Sequence, residues 1–515
     1  MAAGITPIRN IYLHEMLPSG NNKYPVTAAA AAPTVKSKSL KMPGRSVVTT
    51  LSAMGYFLDG YDLSVISVFT LVLVTYKIFP YNSFTESFVT GSALLGAFVG
   101  SVLFGHYADR IGRRYLYIFD LVFFAVFAVL SALSTNVYEM IIFRFFVGWG
   151  IGADYALSPV YTTEMYPDKK RGAGYGWVWA FWSIGAGVAF LMGYVFYLAD
   201  PLTGWRWTLA LGAIPAIITV VLRTEMPESL RWNLIKPEKS KLSEENINSI
   251  AKHIGITSED IKAIIAERQS EENIGAGSFS ALFKGEYGKR TAIIWFQWIL
   301  YDIAGYGIGL YSPIILKSFG FSGGSSLLLS LIFNMPVGFL GAFGAVLLND
   351  RLGRKPLQAI GFGSMTIAMA MFFIASGAVA SIGIVIGVAA FVIDYGVGNL
   401  GPGNTMGLYA IELLPTKLRS SSMGGATGIT RIAAFTSAFL FPYISTAIGK
   451  SSFFFVLLSL MVLAFVFTVF FTPETNGLTL EEIAVATYKH VHGMPKLVLP
   501  AKNASDGASG SNEKT

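Results

Sequence analysis

The chain has 515 residues, 53% of them hydrophobic and only 13% charged, about half the charge of an ordinary soluble domain. Its formal net charge is +7, and it has no cysteine, which excludes disulfides, thiol catalysis and thiolate metal sites. The five histidines (His14, His106, His253, His490, His492) lie outside or at the edges of the apolar runs, and there is neither a metal-ligand spacing nor a phosphate-cradling loop for ATP. Enzymatic chemistry and a bound cofactor are therefore not expected.

The first 46 residues are polar and alanine-rich and read as a cytoplasmic tail with no signal-peptide core. Twelve apolar runs follow, each near the length of about 20 residues that spans a bilayer. They cover roughly 47–76, 84–107, 115–134, 137–163, 172–199, 205–223, 289–318, 325–348, 356–378, 381–411, 421–447 and 451–472. Between the sixth and seventh runs, 224–288 is the one long polar stretch inside the chain, and helical periodicity over 239–250 and 258–269 predicts short surface helices there. Residues 473–515 read as a second cytoplasmic tail, disordered over 501–515. The expected organisation is a six-helix bundle over 47–223, a linker over 224–288 and a second six-helix bundle over 289–472.

The basic residues sort by side. With the N-terminus inside, one set of loops holds Arg110, Arg113 and Arg114, then Lys169, Lys170 and Arg171, then Arg351, Arg354 and Lys355, then Lys417 and Arg419. The other side holds only Lys77, Arg206, Lys317 and Lys450. That asymmetry predicts a multi-pass protein of the cell membrane with both termini cytoplasmic. Basicity here is topology rather than a nucleic-acid footprint.

Three motifs occur twice, half a chain apart and in the same order. Asp109-Arg110-x-Gly112-Arg113-Arg114 returns as Asp350-Arg351-x-Gly353-Arg354-Lys355, Glu164-x-x-Pro167-x-x-x-Arg171 as Glu412-x-x-Pro415-x-x-x-Arg419, and Pro227-Glu228-Ser229 as Pro473-Glu474-Thr475. Duplicated apolar halves are how many secondary transporters are built, with the substrate between them. Asp109, Arg110, Arg113, Asp350, Arg351 and Arg354, with Glu164, Arg171, Glu412 and Arg419 at the next helix ends, are expected to form a gating network on the cytoplasmic side.

Ionisable residues deep in apolar runs cost at least about 2.5–3.5 kcal/mol each and so normally face a polar pathway. Asp59 and Asp62 lie in the first run, Arg144 and Asp154 in the fourth, Asp302 in the seventh, Asp394 in the tenth and Arg431 in the eleventh. At 1.5 Å per residue, Asp62 sits about 22 Å, Asp302 about 20 Å and Arg431 about 15 Å along its helix. Structural pairing is the competing reading, with Arg144 beside Asp59 or Asp62 the obvious pair and Asp394 equally open to it.

The duplicated halves, the Asp-Arg-x-Gly-Arg-Arg loop and Arg144-x-x-x-Gly148-x-Gly150-x-Gly152 resemble the major facilitator superfamily over about residues 47–480. Val346 departs from its pattern, standing where the second loop motif would start with Gly. Pro227-Glu228-Ser229-Leu230-Arg231-Trp232 and Pro473-Glu474-Thr475-Asn476-Gly477-Leu478 are similar to motifs of its sugar-porter branch. Asp59-Gly60-Tyr61-Asp62, the Gly152-Ala153-Asp154-Tyr155 segment and Trp298-x-x-Tyr301-Asp302-x-x-x-Tyr306 resemble the phosphate:proton symporters, and the first of these also resembles the aromatic-acid:proton symporters. The resemblance implies an all-α integral membrane fold with helices 1, 4, 7 and 10 lining a central cavity. It implies proton coupling by Asp59, Asp62 and Asp154, and a substrate site of Asp302 and Arg431 with Tyr155, Gln297 and Tyr306. Arg431 stands where those symporters carry Lys. A guanidinium suits carboxylate as well as phosphate.

The expected partners are a small anionic solute, protons and the lipid bilayer, with the chain acting as a monomer. Inorganic phosphate is the first expectation, an organic acid the second and a sugar the third. A nutrient sensor on the same fold is the alternative from outside transport.

Overall fold

The computed structural model describes residues 45–112, 114–164, 171–224, 226, 228–235, 247, 249, 251–252, 261, 279–415, 418–447, 449–491 and 494–499. Arg113, the expected linker helices and the 501–515 tail fall wholly or mostly outside that set, as do the side chains of Asp109, Glu164 and Arg171.

In lipid every backbone polar group must be satisfied within its own segment, so apolar runs of this length fold as helices. Among the described residues, ten are long and apolar enough to cross a membrane. They are α1 (Arg45–Tyr76), α2 (Ser83–Ile111), α3 (Leu116–Leu133), α4 (Val137–Glu164), α5 (Arg171–Ala199) and α6 (Gly204–Arg223), and later α8 (Gly323–Leu352), α9 (Arg354–Gly377), α10 (Ser381–Glu412) and α12 (Lys450–Phe471). An eleventh, α7 (Gly285–Gly309), continues into Ser312–Ser318 after a 56° bend. The twelfth, α11 (Arg419–Ala447), is rich in Ser, Gly and Thr and carries Arg431, so it depends on protein neighbours rather than lipid for its burial. The fold is all-α, integral to the membrane, with twelve long helices in two related sets.

The duplication is visible atom by atom. After α2, Gly112 adopts φ +103°, and after α8, Gly353 adopts φ +96°, a region that a side chain would oppose. Each glycine turns the chain onto a carboxylate from the matching end-of-half motif. Glu228 Oε2 accepts from the Arg114 amide at 3.1 Å, and Glu474 accepts from the amides of Arg354 and Lys355, both at 3.0 Å. The carboxylates thus sit at the starts of α3 and α9, where free N–H groups and the helix dipole favour negative charge.

The two sets of helices touch at both ends. At the basic end, α2 and α11 approach through Gly105 and Gly424, where a side chain on either would meet the other's backbone. Beside them, Asp350 Oδ2 accepts from the Ala173 amide at the start of α5 (3.0 Å), and Asn349 donates to Gly172 O at 3.3 Å. Val346 faces Gly176 of α5, whose missing side chain leaves room for it. At the opposite end Phe88 packs on Phe439 with ring centroids 5.4 Å apart, Phe84 packs on the same ring, and Ser87 donates to Phe439 O at 3.0 Å. Lys317 reaches Thr75 at 3.1 Å. The halves are thus in contact at both ends.

One element was not legible in the sequence. Within the expected tail, strands β1 (Thr487–Val491) and β2 (Met494–Val498) form an antiparallel hairpin. It is docked where α12 ends: Tyr488 Oη donates to Phe471 O at 2.8 Å, and His490 Nε2 lies 3.1 Å from Phe470 O. Arg290, buried at the start of α7, donates to Leu413 O, Ile483 O and Ala486 O and so ties the segment before the hairpin to the bundle.

Replacing Glu474 by Ala removes the acceptor at the start of α9 and should cost about 1 kcal/mol. The melting temperature in detergent should fall, with Glu474→Gln retaining part of the loss. An unchanged melt in the Ala variant would mean that water serves those amides equally well.

Candidate functional site

Two clusters of buried charge occupy the interior, and they differ in kind. The first lies within α1, α3, α4 and α6. Asp62 on α1 pairs with Arg144 on α4 at 2.5 Å, and Arg144 Nη2 also donates to Asp62 O at 3.1 Å. Asp154, three turns further along α4, pairs with Arg223 at the end of α6 at 2.9 Å and accepts from Ser158 at 2.8 Å. Asp120 on α3 lies 3.7 Å from the same guanidinium. Arg223 stacks on Tyr117 with its central carbon 3.6 Å from the ring centroid, and donates to the carbonyls of Tyr117 and Leu51. α1 admits this cluster through Gly55, where any side chain would collide with Asp154 and Arg223. Asp59, also buried, lies within electrostatic reach of Asp154, Asp120, Arg223 and Arg431, yet its Oδ2 has no hydrogen-bond partner.

The second cluster joins the two sets of helices. Arg431 on α11 is 1% exposed and lies 3.4 Å from Asp302 on α7. Its guanidinium is held between the rings of Tyr155 on α4 and Tyr306 on α7, each centroid 4.7 Å away. A cation sandwiched by ring faces is stabilised without its N–H groups being used. Arg431 Nε and Nη1 accordingly have no hydrogen-bond partner. Tyr56 packs on Tyr155 at 4.8 Å and on the edge of Trp179 at 6.0 Å, and Trp179 donates across the halves to Asn399 on α10 at 3.1 Å.

Several expected residues fall elsewhere. Gln297 is not in the central cluster: its amide nitrogen donates to Thr468 of α12 and to Thr472 just after it, a brace between helices on the far side of α7. Five residues separate it from Asp302, which places it about 140° around the helix. Asp394 is buried on α10 and forms no ion pair among the described residues, and Arg144 is taken by Asp62, so the structure gives Asp394 no structural partner. Arg354 spans Asp350 (3.1 Å) and Glu412 (3.0 Å), while Thr475 donates to Glu412. Among the described residues this network lies within the second set of helices, and Asp350 also reaches the α5 backbone across the halves. Arg110 and Arg351 are exposed, and Arg419 is buried with Nε donating to Ile411 O. Asp120 and Arg223 were missed by sequence reasoning. Asp120 is the single acid in the third apolar run, which is a usable signal, whereas Arg223 at a run's end reads as a loop charge.

This arrangement, twelve helices in duplicated halves around buried charge, matches a known pattern. The family described as "Sugar (and other) transporter" covers residues 48–486. The chain belongs to that family. It is a multi-pass membrane transporter, not an enzyme. Among family relatives, it is 31% identical to the glucose transporter GlcP of Staphylococcus epidermidis, over 85% of this chain and 96% of that protein. It is 29% identical to the probable inorganic phosphate transporter 1-6 of Arabidopsis thaliana, over 85% and 93%. Among solved structures, the proton:xylose symporter XylE bound to 6-bromo-6-deoxy-D-glucose superposes with a TM-score of 0.76 at 24% identity, covering 85% of this chain and 98% of that one.

Truncating Arg223 leaves two buried carboxylates sharing no cation, which should cost about 3–5 kcal/mol. Arg223→Leu should therefore yield aggregated or strongly destabilised protein by size exclusion and thermal melting. Asp120→Asn, which leaves the Asp154 pair in place, should behave close to wild type. Equal stability of the two variants would remove Arg223 from its place as the anchor of the cluster.

Proposed function

We propose that the chain is a proton-coupled symporter of an anionic solute, inorganic phosphate first. The observation that carries this reading is Arg431: a permanently charged guanidinium, buried between the halves, with Nε and Nη1 unused. A small anion entering there would receive charge-assisted hydrogen bonds from those groups, with Asp302 releasing part of its hold on the cation. Tyr155 comes from one half and Asp302, Tyr306 and Arg431 from the other, so the bundles over 47–223 and 289–472 would both grip the solute and rock about it. An organic acid is the second candidate, because the guanidinium fork fits a carboxylate equally. A sugar is the third, supported by the names of GlcP and XylE rather than by the charge of the site. The loops rich in arginine and lysine support a cell-membrane protein with both termini in the cytoplasm.

Proton coupling is assigned to Asp59, Asp62 and Asp154. Asp59, Asp154 and Asp120 lie around one guanidinium, Arg223, so that cluster can take up a proton without leaving a cation unpaired. Asp62 differs, since its neutralisation would free Arg144.

A thermal-stability panel of phosphate, sulfate, carboxylates and hexoses tests the substrate class. Phosphate should raise the melting temperature of the wild type and not of Arg431→Gln. Stabilisation by a hexose alone would reassign the substrate, and binding without uptake in proteoliposomes would make the protein a sensor.

For coupling, Asp59→Asn and Asp154→Asn should each lose accumulation driven by an imposed pH gradient while retaining exchange of solute across the membrane. Uptake in both variants that still follows the gradient as in wild type would move the coupling role to Asp302 or Asp394.

A further inference from the structure

The β1–β2 hairpin plays no part in the transport reading, yet its two faces are sharply different. One face is spent on the bundle. Tyr488 and His490 reach the last carbonyls of α12, Pro495 is buried, and Leu497 packs against the core. The Tyr488 amide donates to Glu286 at the start of α7 at 3.2 Å. A two-stranded hairpin is marginal alone in water, so this docking accounts for its presence.

The other face does the opposite of what stability would ask. Lys489 stands directly across from Lys496, and both side chains are exposed. Like charges directly opposite on one face of an antiparallel pair are destabilising. Lys289, bonded to Glu286 at 2.8 Å beside the hairpin, adds a third ammonium group to the same region. At the turn, Met494 is 56% exposed. The position of this face is fixed by α12: its last residues Phe470 and Phe471 are 54% and 44% exposed, as expected of side chains turned to lipid, and the helix ends there. The hairpin therefore lies at the level where hydrocarbon gives way to headgroups.

We propose that this face is a docking surface for anionic phospholipid headgroups, with the Lys489–Lys496 pair bridging the headgroup phosphates and Met494 entering the boundary layer. The complementarity is electrostatic and local: two ammonium groups held side by side at headgroup depth, on the end of the protein where basic residues concentrate. It requires no assumption about the transported solute.

The test uses the full-length protein in detergent, titrated separately with phosphatidylglycerol and phosphatidylcholine, with bound lipids counted by native mass spectrometry. Phosphatidylglycerol should bind wild type more tightly than phosphatidylcholine. The double substitution Lys489→Gln/Lys496→Gln should weaken the phosphatidylglycerol adducts by about an order of magnitude and leave phosphatidylcholine unchanged. Lys489→Arg/Lys496→Arg should restore them. Equal phosphatidylglycerol binding in wild type and the Gln variant would overturn the proposal, as would equal wild-type affinity for both lipids. If the Gln pair loosens the hairpin, Lys496→Gln alone, with a melt matching wild type, must still show weakened phosphatidylglycerol adducts. Transport does not enter the readout, so failure here is separate from failure of the symport reading.

Discussion

A guanidinium has no accessible neutral form, so each arginine buried among apolar helices must be met by a carboxylate, a carbonyl or a ring face. Arg144, Arg223, Arg354 and Arg431 are all essentially unexposed, and each finds its acid on another helix. Lipid supplies little drive for helices to associate, since their apolar surfaces are as well solvated by acyl chains as by one another. The charges supply position instead: α1 is set against α4, α6 against α3 and α4, α9 against the end of α10, and α7 against α11. Where the cations sit decides where the helices can sit.

The two halves share their loops but not their interiors. Glu228 and Glu474 cap equivalent helix starts after equivalent glycine turns, so the duplicated frame has been kept. Inside it, the first half holds Asp59, Asp62, Asp120 and Asp154 with Arg144 and Arg223, and the second holds Arg431 with Asp302, and Asp394, which has no ion pair among the described residues. Acids outnumber these arginines in both sets, but of the three guanidinium groups only that of Arg431, in the second, has two nitrogens without a hydrogen-bond partner among the described residues. The aromatic contacts of Arg431 span the boundary, with Tyr155 from one half and Tyr306 from the other.

The sequence made the frame readable for simple reasons. Twelve apolar runs, each closed by charge or glycine, leave little freedom, and the repeats announce the symmetry. What stayed hidden depended on direction around a helix or on distance along the chain. Gln297 lies close to Asp302 in sequence but faces α12, and no spacing reveals which side of α7 meets the cavity. Arg223 ends a run and reads as a loop charge until α6 carries it back beside Asp120 and Asp154. The hairpin was invisible because its strand formers Thr487, Tyr488, Val491 and Val498 are interrupted by Lys489, Pro495 and Lys496 within two strands of only five residues, and it is the end of α12 that gives those strands something to fold against.

The two ends that close the protein are fastened by different chemistry. At the basic end the halves meet through the bare backbones of Gly105 and Gly424 and through polar contacts to the start of α5. At the other end a stack of phenylalanines, Phe84 and Phe88 against Phe435 and Phe439, carries most of the contact, with the Ser87 and Lys317 hydrogen bonds beside it. Apolar contact exposed to water on opening weakens as temperature falls, whereas hydrogen bonding does not follow that rule. Cooling therefore weakens the aromatic part of this closure relative to the polar contacts at the basic end. The two closures therefore answer differently to temperature.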